Sequence, residues 1–249
     1  MTITEIKKEA KKLNKNNYLN SNLIILFSIT FTAILTLLPF IFIKIVNIYN
    51  FSIIAKISVL LFITFISILF NCAFLTGEKS WYSGKVSKSR LGIKRLSFWY
   101  KPRYSVKALL LKSVLFILKA CVFIFFTLPS VFLLIAGLFL IFTGGIEVWI
   151  LTSMLVGSLI LLIVGSIFSF VFNQHYFLAE YLYINNPKLK IFQVIKRSKN
   201  LINGHVYKIV KFKLSFIPAF LCCLMIFPLI IIRPRYKQSC CILAKELCI

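Results

Sequence analysis

The 249-residue chain contains no aspartate: its six acidic residues are all glutamates, set against 30 lysines and arginines, for a net charge of +24. Chemistry that requires an aspartate, such as a Ser-His-Asp triad or an aspartate dyad, is excluded. Charge of either sign is sparse, at 14% of residues, while 60% are hydrophobic and the mean hydropathy is +0.93. An ordinary soluble domain has roughly 25% charged and about 45–50% apolar residues, so a soluble fold is excluded as well. Nothing in the sequence gives a physical reason for the missing aspartates.

Reactive groups are equally thin. His175 and His205, the only two histidines, sit in no metal-ligand spacing, and Glu180 follows His175 at an offset that does not share a helical face. None of the long uncharged runs holds a carboxylate, so the acid relay of a proton-coupled pump is missing. Of the seven cysteines, Cys72, Cys121, Cys222 and Cys223 lie in apolar stretches, and Cys240, Cys241 and Cys248 cluster in the tail without CxxC spacing. No catalytic residue, cofactor site or metal site is therefore expected.

What is present is a series of uncharged runs at residues 23–43, 57–77, 120–143, 148–172 and 214–232. A membrane-crossing helix needs about 20 such residues. The expected fold is all-α: a polytopic α-helical integral membrane protein of about five spans forming a single membrane domain over residues 1–249. The first run is longer than a signal-peptide core and ends without a small-x-small site, so it is expected to be a retained span. The fifth contains Pro218 and Pro228 and is expected to be kinked or broken. A full crossing is the favoured reading there, with a re-entrant segment as the alternative.

The basic residues set the direction. The N-terminal segment 1–22, the segment 78–107 and the segment 188–213 together hold 22 lysines and arginines, whereas Lys44 and Lys56 alone lie between the first two runs and none lies in the Gly144–Glu147 turn. Short loops rich in Lys and Arg stay in the cytoplasm, which places the N-terminus inside the cell and the protein in the plasma membrane. A complete fifth span conflicts with this rule, because it exports Arg233, Arg235 and Lys237. Topology accounts for most of the positive charge without nucleic acid, and attraction to anionic lipids at the cytoplasmic face adds to it.

Three segments carry finer expectations. Ile3, Ile6, Ala10 and Leu13 recur at helical spacing behind a Thr2/Glu5 capping box, which describes an amphipathic helix lying in the interface or docking on a partner. Trp81, Tyr82, Phe98, Trp99, Tyr100 and Tyr104 among the basic residues of segment 78–107 read as an interfacial aromatic belt, with Lys112 and Lys119 snorkelling from the helix that leads into the third run and Pro129 kinking that span. In the fourth run Ser153, Gly157, Gly165 and Ser169 share one helical face, a candidate helix-packing surface, with a substrate path along it as the sharper alternative.

The stretch IFQVIKRSKNLINGHVYKIVKFKLSFIPAF, residues 191–220, reads as a helix with Ile191, Val194, Ile195, Ser198 and Leu201 on one side, closed by Asn203-Gly204 and followed by a basic strip. With the N-terminal EIKKEAKKLNKNNY and the closing PRYKQSCCILAKEL, it resembles an uncharacterised family of bacterial multi-pass membrane proteins related to the membrane domain of glycerophosphodiester phosphodiesterases. The matching residues are Arg197-Ser198, Leu201, Gly204-His205 and Leu214-Ser215-Phe216-Ile217, with Pro218 and Cys222-Cys223 departing from the pattern. The resemblance implies the architecture and marks Arg197, Ser198, Gly204 and His205 as candidate family-motif or anionic-lipid contacts, but it implies no activity. The expected role is a non-enzymatic membrane protein acting through lipid or protein contacts in envelope maintenance or assembly, with a protein partner or homo-oligomer allowed. A transporter or permease subunit for a small solute or lipid is the alternative.

Overall fold

In the computed structural model the described residues are 1–15, 18–48, 52–86, 96–142, 148–221 and 226–248. They form ten α-helices: α1 (Ile3–Lys15), α2 (Tyr18–Ile48), α3 (Ile53–Val86), α4 (Pro102–Phe142), α5 (Val148–Phe172), α6 (Ala179–Asn185), α7 (Ile191–Ile202), α8 (Val206–Leu214), α9 (Ile217–Leu221) and α10 (Ile226–Leu247). Short 3-10 turns at Phe98–Tyr100 and Asn173–Tyr176 complete them, and no strand occurs among the described residues. The Gly144–Glu147 turn, Cys222 and Cys223 lie outside the described residues.

Four helical stretches are long and apolar enough to cross a membrane: Leu23–Lys44, Ile53–Gly84, Pro102–Leu140 and Trp149–Asn185. Their most apolar windows are only 6–17% buried within the protein, so that surface needs lipid to cover it. α2 pairs with α3, and α4 with α5. Phe27 and Phe31 of α2 pack on Phe74 of α3, with ring centroids 5.5 and 4.9 Å apart. In the second pair, Gly165 of α5 brings the backbones so close that a Cβ there would overlap the Phe126 carbonyl oxygen of α4. The helices run unbroken past Pro39 and Pro129.

The protein core lies at one end of these helices, where both termini meet. α1 carries the expected capping box: the Glu5 amide donates to Thr2 Oγ1 at 3.3 Å and the Thr2 amide to Glu5 Oε2 at 2.7 Å. Its apolar face is covered by α10 rather than by lipid, since Ile6 and Ala10 are buried in one cluster with Ile242, Leu243 and Leu247. The N-terminal ammonium and Lys208 both bond Glu246 Oε1, at 2.5 and 2.9 Å. Burial would raise the Glu246 carboxyl, but these two cations outweigh it and hold the group below its ordinary value.

This core corrects three expectations. Residues 214–232 are not one spanning helix. α8 stops at Leu214, a turn follows at Ser215 and Phe216, and α9 is five residues long with Pro218 at its start, a position where the missing amide costs no helical bond. The tail beyond Ile232 stays with the N-terminus, because α10 buries its Gln238–Ala244 face against the protein and Glu246 holds Met1. The conflict over Arg233, Arg235 and Lys237 disappears, since they lie at the end that carries the other basic segments. Trp81, Tyr82 and Trp99 are not a lipid-facing belt: they are 5%, 0% and 2% exposed, because α3 continues to Val86 and α4 begins at Pro102, which turns these rings inward. Lys112 does not snorkel either. Its Nζ donates to the Cys72 carbonyl oxygen at 3.1 Å, tying α4 to α3.

Because Gly165 has no room for a side chain, Gly165→Leu is expected to lower stability by about 1–3 kcal/mol and to reduce the melting temperature of the detergent-solubilised protein; an unchanged melting temperature contradicts this packing.

Candidate functional site

Polar residues next to the ends of three of the uncharged runs converge. Lys79 stands two residues beyond Gly77, Lys119 immediately before Ala120, and Asn173 immediately after Phe172. Together with Glu180 of α6, Lys213 of α8 and Lys237 of α10 they line a cavity of about 220 Å³ at the end of the bundle that holds the termini. The cavity therefore lies beside the ends of three uncharged runs.

Two ion pairs form its walls. Glu78 and Lys79 are neighbours on α3, so about 100° of helical rotation separates their side chains. Lys79 donates to Glu180 Oε2. Glu78, fully buried, pairs with Lys237 through Oε1 and accepts a hydrogen bond from Ser28 Oγ at Oε2, 3.2 Å. Lys119 and Lys213 have no carboxylate partner among the described residues. The Lys213 ammonium lies 5.2 Å from the centre of the Phe177 ring, a cation–π contact, and burial pushes its pKa down to about 8. The Tyr82 hydroxyl, on a fully buried side chain in the same lining, has no hydrogen-bond partner among the described residues.

The remaining groups are unsuited to covalent chemistry. Burial pushes the Cys240 thiol up to about 11 and raises Cys241 further, so both stay protonated and weakly nucleophilic. No histidine lines the cavity. Among the described residues, no three His, Cys, Asp or Glu side chains come together as a metal-ligand set. Ammonium groups in excess of carboxylates, with the Tyr82 hydroxyl beside them, are an arrangement that holds an anion.

The residues singled out from the sequence lie elsewhere. Gly157, Gly165 and Ser169 face α4: a Cβ on Gly157 would stand 3.3 Å from Leu133, and Ser169 is buried and accepts a hydrogen bond from Asn173 Nδ2 at 3.3 Å. Ser153 is exposed and donates to its own helix at the Ile150 carbonyl, 2.7 Å. At its two glycines that face packs against Phe126 and Leu133 of α4. Ser198 is buried and donates to the His175 carbonyl at 2.9 Å, fastening α7 to the turn after α5. Arg197, Gly204 and His205 are exposed, with Gly204 at φ +87° closing α7, and none of the four lines the cavity. Sequence reasoning passed over Lys79, Lys119, Glu180, Lys213 and Tyr82. The available signal was that three of the charges flank ends of uncharged runs, but nothing in the sequence says that those ends meet.

Residues 1–240 match the family described as protein of unknown function DUF975, and the chain belongs to that family. No curated protein and no solved structure matches it. The expected link to glycerophosphodiester phosphodiesterases finds no support in these comparisons.

The displaced pKa of Lys213 sets a pH dependence. Lys213 faces Lys79, Lys119, Lys237, Cys240 and the Phe177 ring, and its folded pKa of about 8 lies below its ordinary 10.5. Between those values the unfolded chain binds the extra proton, so without an anion stability rises with pH through this window. Anion binding needs the ammonium and runs the opposite way: affinity is expected to be full below pH 8 and to fall as pH rises through it, as titration calorimetry at several pH values will show. A flat profile between pH 7 and 9.5 contradicts the assignment.

Proposed function

We propose that this DUF975 member is a non-catalytic multi-pass protein of the plasma membrane, with both termini in the cytoplasm, that binds the head group of an anionic lipid in the lysine-lined cavity. The observation that carries this reading is the unmatched positive charge of Lys119 and Lys213 in a cavity at the edge of the apolar helices. Orientation follows from the basic residues at that end, including those of the tail that now joins them. A protein anchored by lipid contact at the inner leaflet suits a part in envelope maintenance or assembly, through lipid or partner contacts. The transporter alternative draws no support from α5, whose small-residue face is packed on α4.

Two measurements test this. The full-length protein in nanodiscs is expected to retain phosphatidylglycerol over phosphatidylcholine in native mass spectrometry, with the double variant Lys119→Gln/Lys213→Gln weakening retention about tenfold or more, the size of one or two lost charge-assisted contacts. Equal retention of both lipids by the wild type contradicts the proposal. For topology, fluorescent reporters fused separately to each terminus should both report the cytoplasm; a terminus on the outer side overturns the orientation.

A further inference from the structure

The charges around the cavity do not cancel, and the remainder specifies a ligand class. Four ammonium groups line it: Lys79, Lys119, Lys213 and Lys237. Glu180 neutralises Lys79 and Glu78 neutralises Lys237, while Lys119 and Lys213 have no carboxylate partner among the described residues. Lys213 is half-buried and Lys119 exposed, and Glu180 acts on Lys119 only from beyond ion-pair distance. A singly charged phosphodiester would match one of the two and leave the other. A phosphomonoester carries about −1.5 to −2 at pH 7 with three strong acceptor oxygens, which suffices for both lysines and for the partnerless Tyr82 hydroxyl.

Size and depth agree with this. About 220 Å³ accommodates a tetrahedral anion with some water and is smaller than the roughly 300–1,000 Å³ of pockets that enclose drug-sized ligands, so only the phosphate end of a larger molecule enters. Lys119 borders the uncharged run of α4 directly, so an alkyl chain leaving the cavity toward α4 meets lipid.

We propose that the cavity between α3, α4, α6, α8 and α10 is a phosphomonoester site, in which Lys119 and Lys213 neutralise a doubly charged terminal phosphate and Tyr82 donates a hydrogen bond to it. The inference rests on the anionic-lipid reading above and narrows it to one head-group chemistry. A phosphomonoester lipid and soluble phosphate share that chemistry, and the test separates them.

Full-length protein in phosphatidylcholine nanodiscs is titrated with phosphatidic acid, with phosphatidylglycerol, or with inorganic phosphate, following thermal stabilisation and, for the lipids, retention in native mass spectrometry. Phosphatidic acid is expected to bind about tenfold more tightly than phosphatidylglycerol, the difference made by one further charge-assisted contact. Lys119→Gln or Lys213→Gln should each remove that preference. Neither variant should melt below the wild type without ligand, because neither lysine has a carboxylate partner among the described residues, and Lys119→Arg and Lys213→Arg should keep the preference. Equal affinity for phosphatidic acid and phosphatidylglycerol, both above phosphatidylcholine, overturns the phosphomonoester inference and leaves the anionic-lipid reading standing. Failure of both to exceed phosphatidylcholine, with no stabilisation by inorganic phosphate, overturns both. Saturation by inorganic phosphate at the affinity of phosphatidic acid supports the phosphomonoester site and overturns the lipid as its source.

Discussion

The arrangement of the end that holds both termini depends on two adjacent residues of α3. Glu78 and Lys79 project in different directions from one helix and each binds a partner from a distant part of the chain: Glu78 holds Lys237 of α10, and Lys79 holds Glu180 of α6. A buried carboxylate without its cation is strongly destabilising, so these pairs demand that both helices close against the bundle. α10 in turn presents the surface that receives α1, and Glu246 draws the N-terminal ammonium and Lys208 to the same place. With only six glutamates in the chain, three of them are committed to joining segments far apart in sequence.

The site is a by-product of that scarcity. Lysines are abundant because they flank apolar helices, and glutamates are too few to match all those that line the cavity. Lys119 and Lys213 are left facing one another's neighbourhood with aromatic rings and protonated thiols around them. Lys119 and Lys213 each stand immediately before an uncharged run. The proposed anion site and the boundaries of the apolar runs thus share residues.

Several elements were legible along the chain because their cause is local. The capping box of α1, the turn at Gly204 and the four spanning-length helices follow from neighbouring residues alone, and the structure has them where the periodicity and uncharged lengths put them. The aromatic residues around position 81 and 99 misled because basic residues beside rings look alike whether the rings face lipid or core; packing on Tyr183, 5.4 Å from Trp99, decides it. Residues 214–232 misled for a related reason. Apolar composition is shared by a continuous span and by a segment that breaks, and the prolines mark a break without fixing the direction the chain takes beyond it.

The sequence by itself determined the helical class, the four long apolar helices and the side on which basic residues gather, since hydrophobicity and charge act residue by residue against the bilayer. Only the tertiary structure decided that the tail returns to the N-terminus and that Lys79, Lys119, Lys213 and Lys237 share one cavity with Glu180. Those relations join positions as far as 245 residues apart, and their energy comes from desolvation and pairing, which exist only once the chain has brought the partners together.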